Sequence, residues 1–549
     1  MSNVIEQKVP SQEKPEAKQE PSGHPPLTVS GVFLLVALFA LIFGYFCFIS
    51  LKRPADVDEG FFLVMGKSIF VNGRTIYLDF FSPQMPLLPY VYGFIMSLFG
   101  YTWKVARIFN SLFPAGIGLI LCWYAVRSTR SKAFALSVAL IFCFSPFIFI
   151  WFSCARVSAL ATFLLVASVC FLPPINTHSS ALAYLYSGVL LGLSVDTRLY
   201  VLAAAPAIIF HLIQVEKQRW LRSVAFFVTG ICAALSINLP LFLASPSKYV
   251  WNIIGIHALK TSSGLIGALP QKGDVLLKLL FDYPSFRPTL YFGYILIFFL
   301  YLVHQALRRK PLLQWNPAFL VAAAIFLVSI LPTPTFSRYF VVAVPLFLLL
   351  GIDLFGSLLL ALRRNMQRKA LIAGVLAVSI LFSWFGAGKV DYYLFKGNNL
   401  GGSMPTEGGK ADWNMDNVRA VSQAIDRLVA PDAAVVSLWP GYLLESDVQI
   451  LPKTENVTLL ELEHSLPENI NAISQTITDK EVRTGIRDKK IDLLIYGNSV
   501  APQVGEYKRL LIENGYIVAK RIGGISLFLS PEYRSASIGK SHAALFRKN

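Results

Sequence analysis

Three carboxylates stand within four positions in the stretch ADVDEGFF, residues 55–62: Asp56, Asp58 and Glu59. Between the acidic N-terminal tail and residue 387 the chain holds only nine acidic residues, so this cluster takes a third of them. Ionisable groups at a membrane surface are costly to bury and are usually functional. A carboxylate at the lip of an apolar cavity is a natural general base, because partial desolvation raises its pKa toward working pH. Asp58 and Glu59 are adjacent and need not point the same way. One can act as base while the other orients it or a substrate, with Asp56 beside them in the binding site. The plainer reading is a helix start with acids at its N-terminus, where the helix dipole favours them.

Basic residues form the second set. Arg107 opens an apolar stretch in WKVARIFNS, and Arg198 lies in the turn GLSVDTRLY. Lys260 sits in a long loop, and Arg338 with Tyr339 begins the stretch TPTFSRYFVVAVP. Guanidinium binds phosphate through paired charge-assisted hydrogen bonds, which makes these candidate phosphate contacts. Snorkelling to ordinary lipid phosphates is the plainer account of any one of them. Arg156 in FSCARVSAL belongs to the same class, and Asp196 and Arg198 are expected to pair with each other. His257 and His304 have no spaced partner, and none of the six cysteines has CxxC spacing, so no metal site or redox motif is indicated.

The elements that carry these residues are membrane helices. The chain of 549 residues is 55% hydrophobic and 15% charged, the composition of a polytopic membrane protein with a soluble part. Apolar runs near 28–51, 105–126, 133–150, 157–173, 180–195, 199–214, 223–243, 289–305, 316–331, 339–360 and 370–387 give about eleven spans. The net charge of +17 lies wholly before Lys389; from there on, acids and bases number 19 each. The excess sits in short loops at 127–132, 217–222, 308–310 and 363–369, which the positive-inside rule places in the cytoplasm. It is therefore a topology signal and not a nucleic-acid footprint.

On that topology the N-terminus is cytoplasmic, and the acidic cluster, the 244–288 loop and everything after 388 lie outside. The parity requires that the piece 84–100, with Pro86, Pro89 and Gly93, does not span. FFLVMGKSIFVNG is expected to form an amphipathic interfacial helix ending at Asn72-Gly73, its polar residues facing water.

The domains expected are a disordered cytoplasmic tail at 1–27, a transmembrane catalytic domain at 28–387 with an outer loop at 52–104, and a Gly-rich linker at 388–409. An extracytoplasmic α/β domain at 410–535 and a tail at 536–549 follow. In the α/β domain, DNVRAVSQAIDRLV and YKRLLIENGY read as helices, AAVVSLW and IDLLIYG as strands, and YIVAKRIGGISLFLS as a hairpin through Gly523-Gly524. No Walker motif and no dinucleotide-binding glycine fingerprint occurs. The triplet NVT at 456–458 matches a glycosylation acceptor, a pattern common by chance.

This order of features resembles the polyprenyl-phosphate-sugar glycosyltransferases of the GT-C superfamily. Those features are one span, Asp-Glu in an outer loop, an interfacial helix, FFSPQMPLLPY, "LFG…W…AR" and a late "RYF…P". The protein O-mannosyltransferase and lipid A aminoarabinose transferase lineages are the most similar. The resemblance is strongest over 28–130 and thinner over 180–390.

It implies a GT-C-like fold and transfer of a sugar from a polyprenyl-phosphate donor to an acceptor hydroxyl, with inversion, at the outer face. Asp58 is the implied base with Glu59 its neighbour; Arg107, Arg198 and Arg338 are implied phosphate contacts. No cofactor or metal is implied. The partners are the lipid-linked donor, a glycan, lipid or protein acceptor, and membrane lipids, in a bacterial inner membrane. Two features depart from the family pattern. Pro83-Gln84-Met85 stands where many members have a basic residue, and CARVSALAT has no acid where many have one. A lipid-linked oligosaccharide polymerase or ligase is the nearest rival reading. A lipid or glycan transporter is the rival from another class, and it requires charges at mid-membrane depth.

Overall fold

The computed structural model describes residues 29–172, 180–259, 267–282, 287–308, 316–362, 365–391, 405–406, 409–410, 413–457, 475–497 and 504–533. Helix α1 is Val29–Lys52, and α2 is Val57–Asn72. Then come α3, Leu87–Phe99; α4, Trp103–Thr129; α5, Lys132–Phe144; α6, Pro146–Phe152; α7, Val157–Cys170; and α8, Ala181–Thr197. Helices α9, Leu199–Glu216, and α10, Trp220–Ala244, follow. After them come α11, Leu269–Leu280; α12, Leu290–Leu307; α13, Pro317–Val328; α14, Ser337–Leu359; and α15, Asn365–Val390.

The chain is a polytopic α-helical membrane protein. Among the described residues, seven helices are long and apolar enough to cross a membrane: α1, α4, α9, α10, α12, α14 and α15. Helices α5 and α6 make an eighth span if taken together, bent by 63°. The bend falls at Ser145, whose φ of −68° and ψ of 116° are the extended geometry favoured before a proline. The three remaining expected spans are the shorter apolar helices α7, α8 and α13. Helix α3 has 13 residues, about 20 Å at 1.5 Å per residue, against a hydrocarbon core of about 30 Å.

Helix α2 ends where the sequence places its end: Gly73 closes it at φ 64°, a left-handed conformation that glycine adopts without strain. Its surroundings differ from expectation. Every residue from Glu59 to Ser68 is buried, so the polar side chains of that stretch do not face water. One side packs on α3, where Gly66 and Gly93 meet. A Cβ on Gly66 would lie 2.8 Å from the Pro89 carbonyl oxygen, and one on Gly93 would lie 2.6 Å from that of Gly66.

The other side of α2 is covered by the C-terminal part of the chain. There α16, Met415–Leu428, α17, Asp479–Arg487, and α18, Val504–Glu513, surround a four-stranded sheet. Its strands are β1, Val435–Ser437; β2, Leu493–Tyr496; β3, Ile517–Ile522; and β4, Ile525–Leu529, in the order β1-β2-β4-β3. Strands β1 and β2 are parallel, with Val435 opposite Leu493. Strands β3 and β4 form the expected hairpin, its turn made by Gly523 and Gly524 at φ 53° and 83°.

Docking between the two parts is polar and buried. The Lys67 ammonium donates to the carbonyls of Leu443 at 3.0 Å, Leu444 at 3.2 Å and Ser446 at 2.5 Å. Glu455 accepts from Ser68 Oγ at 2.7 Å and is ion-paired to Arg74. Burial pulls Lys67 below the ordinary lysine range, against the opposing pull of Asp447 and Asp426. Three carbonyl acceptors compensate part of the desolvation cost of such an ammonium.

Gly93→Val is expected to push α2 and α3 apart at a cost of about 1–3 kcal/mol. Thermal unfolding in detergent reads this directly, and an unchanged melting temperature would contradict the close crossing.

Candidate active site

The acid-bearing turn is built by local rules first. Asp56 is the N-cap of α2: its Oδ1 accepts from the Asp58 amide at 3.0 Å, and its own amide donates to Glu59 Oε2 at 3.4 Å. This is a capping box, which fixes where the helix starts and sends successive side chains in different directions.

Glu59 turns inward. Its side chain is 0% exposed and faces Arg107, which is 1% exposed. Arg107 Nε donates to Glu59 Oε1 at 3.1 Å and Nη2 to Oε2 at 2.7 Å, the paired geometry that guanidinium and carboxylate favour. The other Arg107 donors reach the carbonyls of Ser50, Arg53 and Pro54, at the end of α1 and in the link to α2. Glu59 Oε1 also accepts from the Ala155 amide at 2.9 Å. Every N–H of this guanidinium and both carboxylate oxygens are thus engaged within the protein. Burial by itself would raise the Glu59 carboxyl; the charge and hydrogen bonds of Arg107 outweigh it and hold the group below the ordinary glutamate range.

Asp58 turns the other way and is 30% exposed. Its carboxylate is ion-paired to Arg156 and lies 3.7 Å from Arg338 Nη1. Arg156 is buried between α6 and α7 and also donates from Nη1 to Asp56 Oδ2 at 2.9 Å. Its Nε–H has no acceptor among the described residues. Arg338 is 24% exposed, with its guanidinium 4.4 Å from the centre of the Phe336 ring. Arg198 lies behind, within range of repulsion from both Arg156 and Arg338. It donates to Ser158 Oγ at 2.9 Å and stacks on Tyr200 at 4.6 Å and Tyr339 at 5.3 Å.

The turn that leads to Arg338 is clamped from α11. The Lys272 ammonium donates to the Ile330 carbonyl at 2.7 Å, the Leu331 carbonyl at 2.9 Å and the Pro332 carbonyl at 3.0 Å. Gln271 exchanges two hydrogen bonds with the Thr335 backbone.

The structure therefore brings together Asp56, Asp58, Glu59, Arg107, Arg198, Arg338 and Tyr339, residues spread over some 280 positions. Lys260 and Thr458 of the NVT triplet lie outside the described residues. The expected pairing of Asp196 with Arg198 does not form. Arg198 turns to Ser158 and two tyrosines, while Asp196 Oδ1 accepts from Asn238 Nδ2 at 2.8 Å. Asp196 Oδ2 and Asn238 Oδ1, both buried, have no hydrogen-bond partner among the described residues.

Sequence reasoning underrated Arg156, which touches two of the three clustered acids. The signal was present, since an arginine beside an apolar run and away from the loops expected in the cytoplasm is unusual under the positive-inside rule. Arg53 went unnoticed altogether, although it is buried and donates from Nη1 to the Ile150 carbonyl at 2.7 Å.

Residues 82–243 match the sequence model of the dolichyl-phosphate-mannose-protein mannosyltransferase family. The crystal structure of ArnT from Cupriavidus metallidurans in the apo state superposes with a TM-score of 0.60 at 14% identity, over 90% of this chain and 97% of ArnT. ArnT bound to undecaprenyl phosphate gives a TM-score of 0.60 at 12% identity, over 91% and 98%. The chain has the ArnT fold. No curated protein matches it by sequence. The family match begins after the acidic cluster, not at the first span where the resemblance reads strongest, and it contains Arg107, Arg156 and Arg198. The superposition, in contrast, runs through nearly the whole chain, so the ArnT fold includes parts where sequence likeness has faded.

Glu59→Gln is expected to cost about 3–5 kcal/mol, because Arg107 is left buried with an unbalanced charge. The Glu59 carboxyl is depressed on folding, so its stabilisation is complete above the ordinary glutamate pKa of about 4.3 and fades as pH falls below it. Melting temperatures measured from pH 7 down to 3 are expected to show the variant both lower and flatter on the acid side. At Asp196, Asn supplies a donor where an orphaned acceptor waits, whereas Ala removes the existing bond. Thermal unfolding is expected to rank Asp196→Asn near wild type and Asp196→Ala clearly below it.

Proposed function

We propose that this protein is a membrane glycosyltransferase that moves a sugar from a polyprenyl-phosphate donor to an acceptor hydroxyl, with inversion at the sugar carbon. The observation that carries the reading is Asp58. It is the exposed member of the acid cluster, and it sits against Arg156 and Arg338 with Arg198 behind. The likeness to a fold that has been seen with undecaprenyl phosphate supports the donor class, and so does the family match.

A phosphate arriving at this cluster competes with Asp58 for the arginines. Arg156 holds a buried, unused Nε–H for it, and Arg338 is exposed enough to swing. As the guanidiniums engage the phosphate, the Asp58 carboxylate is released to accept the proton of an acceptor hydroxyl. The acceptor oxygen then bonds to the sugar carbon from the face opposite the phosphate. The bond from that carbon to the phosphate oxygen breaks, and the lipid phosphate leaves carrying the electron pair, in a single inverting displacement. The arginines stabilise the charge that grows on it, so no proton donor to the leaving group is needed. Glu59 and Arg107, closed on each other, act as frame and not as reactants in this scheme. The site opens to the outer face of a bacterial inner membrane, with residues 28–387 as the catalytic body and 410–535 as an extracytoplasmic domain upon it.

Purified protein is to be incubated with radiolabelled polyprenyl-phosphate sugars and membrane acceptors. Asp58→Asn is expected to lower transfer by about 10²–10⁴-fold, the usual worth of a general base, with donor binding retained. Arg338→Ala is expected to raise the donor KM about tenfold or more, the scale of one charge-assisted hydrogen bond. Wild-type rates in Asp58→Asn would remove Asp58 from the chemistry.

A further inference from the structure

We infer that Trp439, in the C-terminal part of the chain, is a positioning residue for Asp58. The inference rests on the transferase reading above. The α1–α2 link and the first residue of α2 make two hydrogen bonds with C-terminal residues, one donated and one accepted. The Ala55 amide donates to the Trp413 carbonyl at 2.9 Å, and Trp439 Nε1 donates to the Val57 carbonyl at 3.0 Å. The second bond falls on the peptide that joins Val57 to Asp58, so it fixes the plane from which the Asp58 side chain departs.

The Trp439 ring is itself fixed on every side. It stacks on Trp413 with ring centres 4.6 Å apart, and on Trp103 at 5.8 Å. Tyr442 meets it edge-on at 4.8 Å and accepts from Trp413 Nε1 at 3.1 Å. The ring also lies hard against Gly60, one turn into α2, where a Cβ would lie 2.5 Å from Trp439 Cζ2. A buried indole normally finds a partner for its N–H. Here the partner is the carbonyl directly before the reactive carboxylate. Trp103 carries the stack onward, since its ring lies 5.5 Å from the Arg107 guanidinium that grips Glu59. One line of contacts therefore joins the soluble domain to both sides of the acidic turn.

A shift of about 1 Å in a reacting group can cost a hundredfold in rate. An indole that sets one peptide plane is thus enough to control transfer without touching substrate.

The test uses the full chain in detergent, comparing wild type, Trp439→Phe, Gly60→Ala and Asp58→Asn. Phe keeps a stacked ring and loses the N–H; Ala at 60 evicts the ring. Two readouts are taken: amide hydrogen exchange over residues 55–62, and kcat and donor KM for transfer. Both substitutions are expected to speed exchange in that segment. They are also expected to lower kcat between about tenfold and a hundredfold, with donor KM within about threefold of wild type. A role in packing alone predicts that Trp439→Phe leaves exchange and kcat unchanged, and that result overturns the inference. Exchange needs no substrate, so an unchanged segment overturns it even if no donor is turned over. Full transfer by Asp58→Asn sinks the base assignment instead. Should Trp439→Phe fail to fold, Gly60→Ala carries both readouts.

Discussion

The Glu59–Arg107 pair is the interaction on which the acid-bearing end of the molecule depends. It ties α2 to α4 directly, and through carbonyls it ties both to the end of α1. Through the Ala155 amide it also reaches the entrance of α7. A buried ion pair is a poor source of net stability, because desolvation offsets the attraction. Its value lies in what it forbids. With both partners fully hydrogen-bonded, a different register of these helices leaves a charge stranded in a low-dielectric interior, at a cost no packing can offset.

That constraint explains how two neighbouring acids come to differ so sharply. The capping box directs Glu59 into the helix junction and leaves Asp58 on the turn's open side. There the field is set by arginines from three separate places in the chain: the α6–α7 link, the α8–α9 turn and the start of α14. Three guanidiniums share two carboxylates, Asp56 and Asp58, which leaves an excess of positive charge there, the kind of field that suits an anion. The Lys272 clamp on the turn before Arg338 holds the backbone that leads to the most exposed of these arginines and leaves its side chain free to turn.

The C-terminal part is more than an addition to the membrane helices. Its sheet and helices bury α2 from above, with Lys67, Ser68 and Arg74 satisfied by C-terminal groups. A helix with ten consecutive buried residues cannot be an interfacial float. The sequence pattern of α2 after its two acids, apolar with a single lysine, fits an interfacial helix and a clamped one equally well. Only the cover decides between them, and the cover comes from residues some 380 positions later.

The sequence alone determined the elements and singled out the clustered charges. Apolar runs set the spans because a bilayer admits only hydrogen-bonded helices of sufficient length. The α/β pattern after residue 410, the hairpin at Gly523-Gly524 and the end of α2 at Gly73 follow from local propensity and turn chemistry. The acid cluster and the arginines at the ends of apolar runs stood out because charge is scarce near a membrane. Tertiary structure decided the partners. Which acid faces Arg107 and which faces Arg156, why Asp196 takes Asn238 and not Arg198, and what covers Lys67 depend on contacts between distant segments. Spacing along the chain carries no trace of such contacts, because each is chosen by competition among buried charges for the few positions where all their hydrogen bonds can be made.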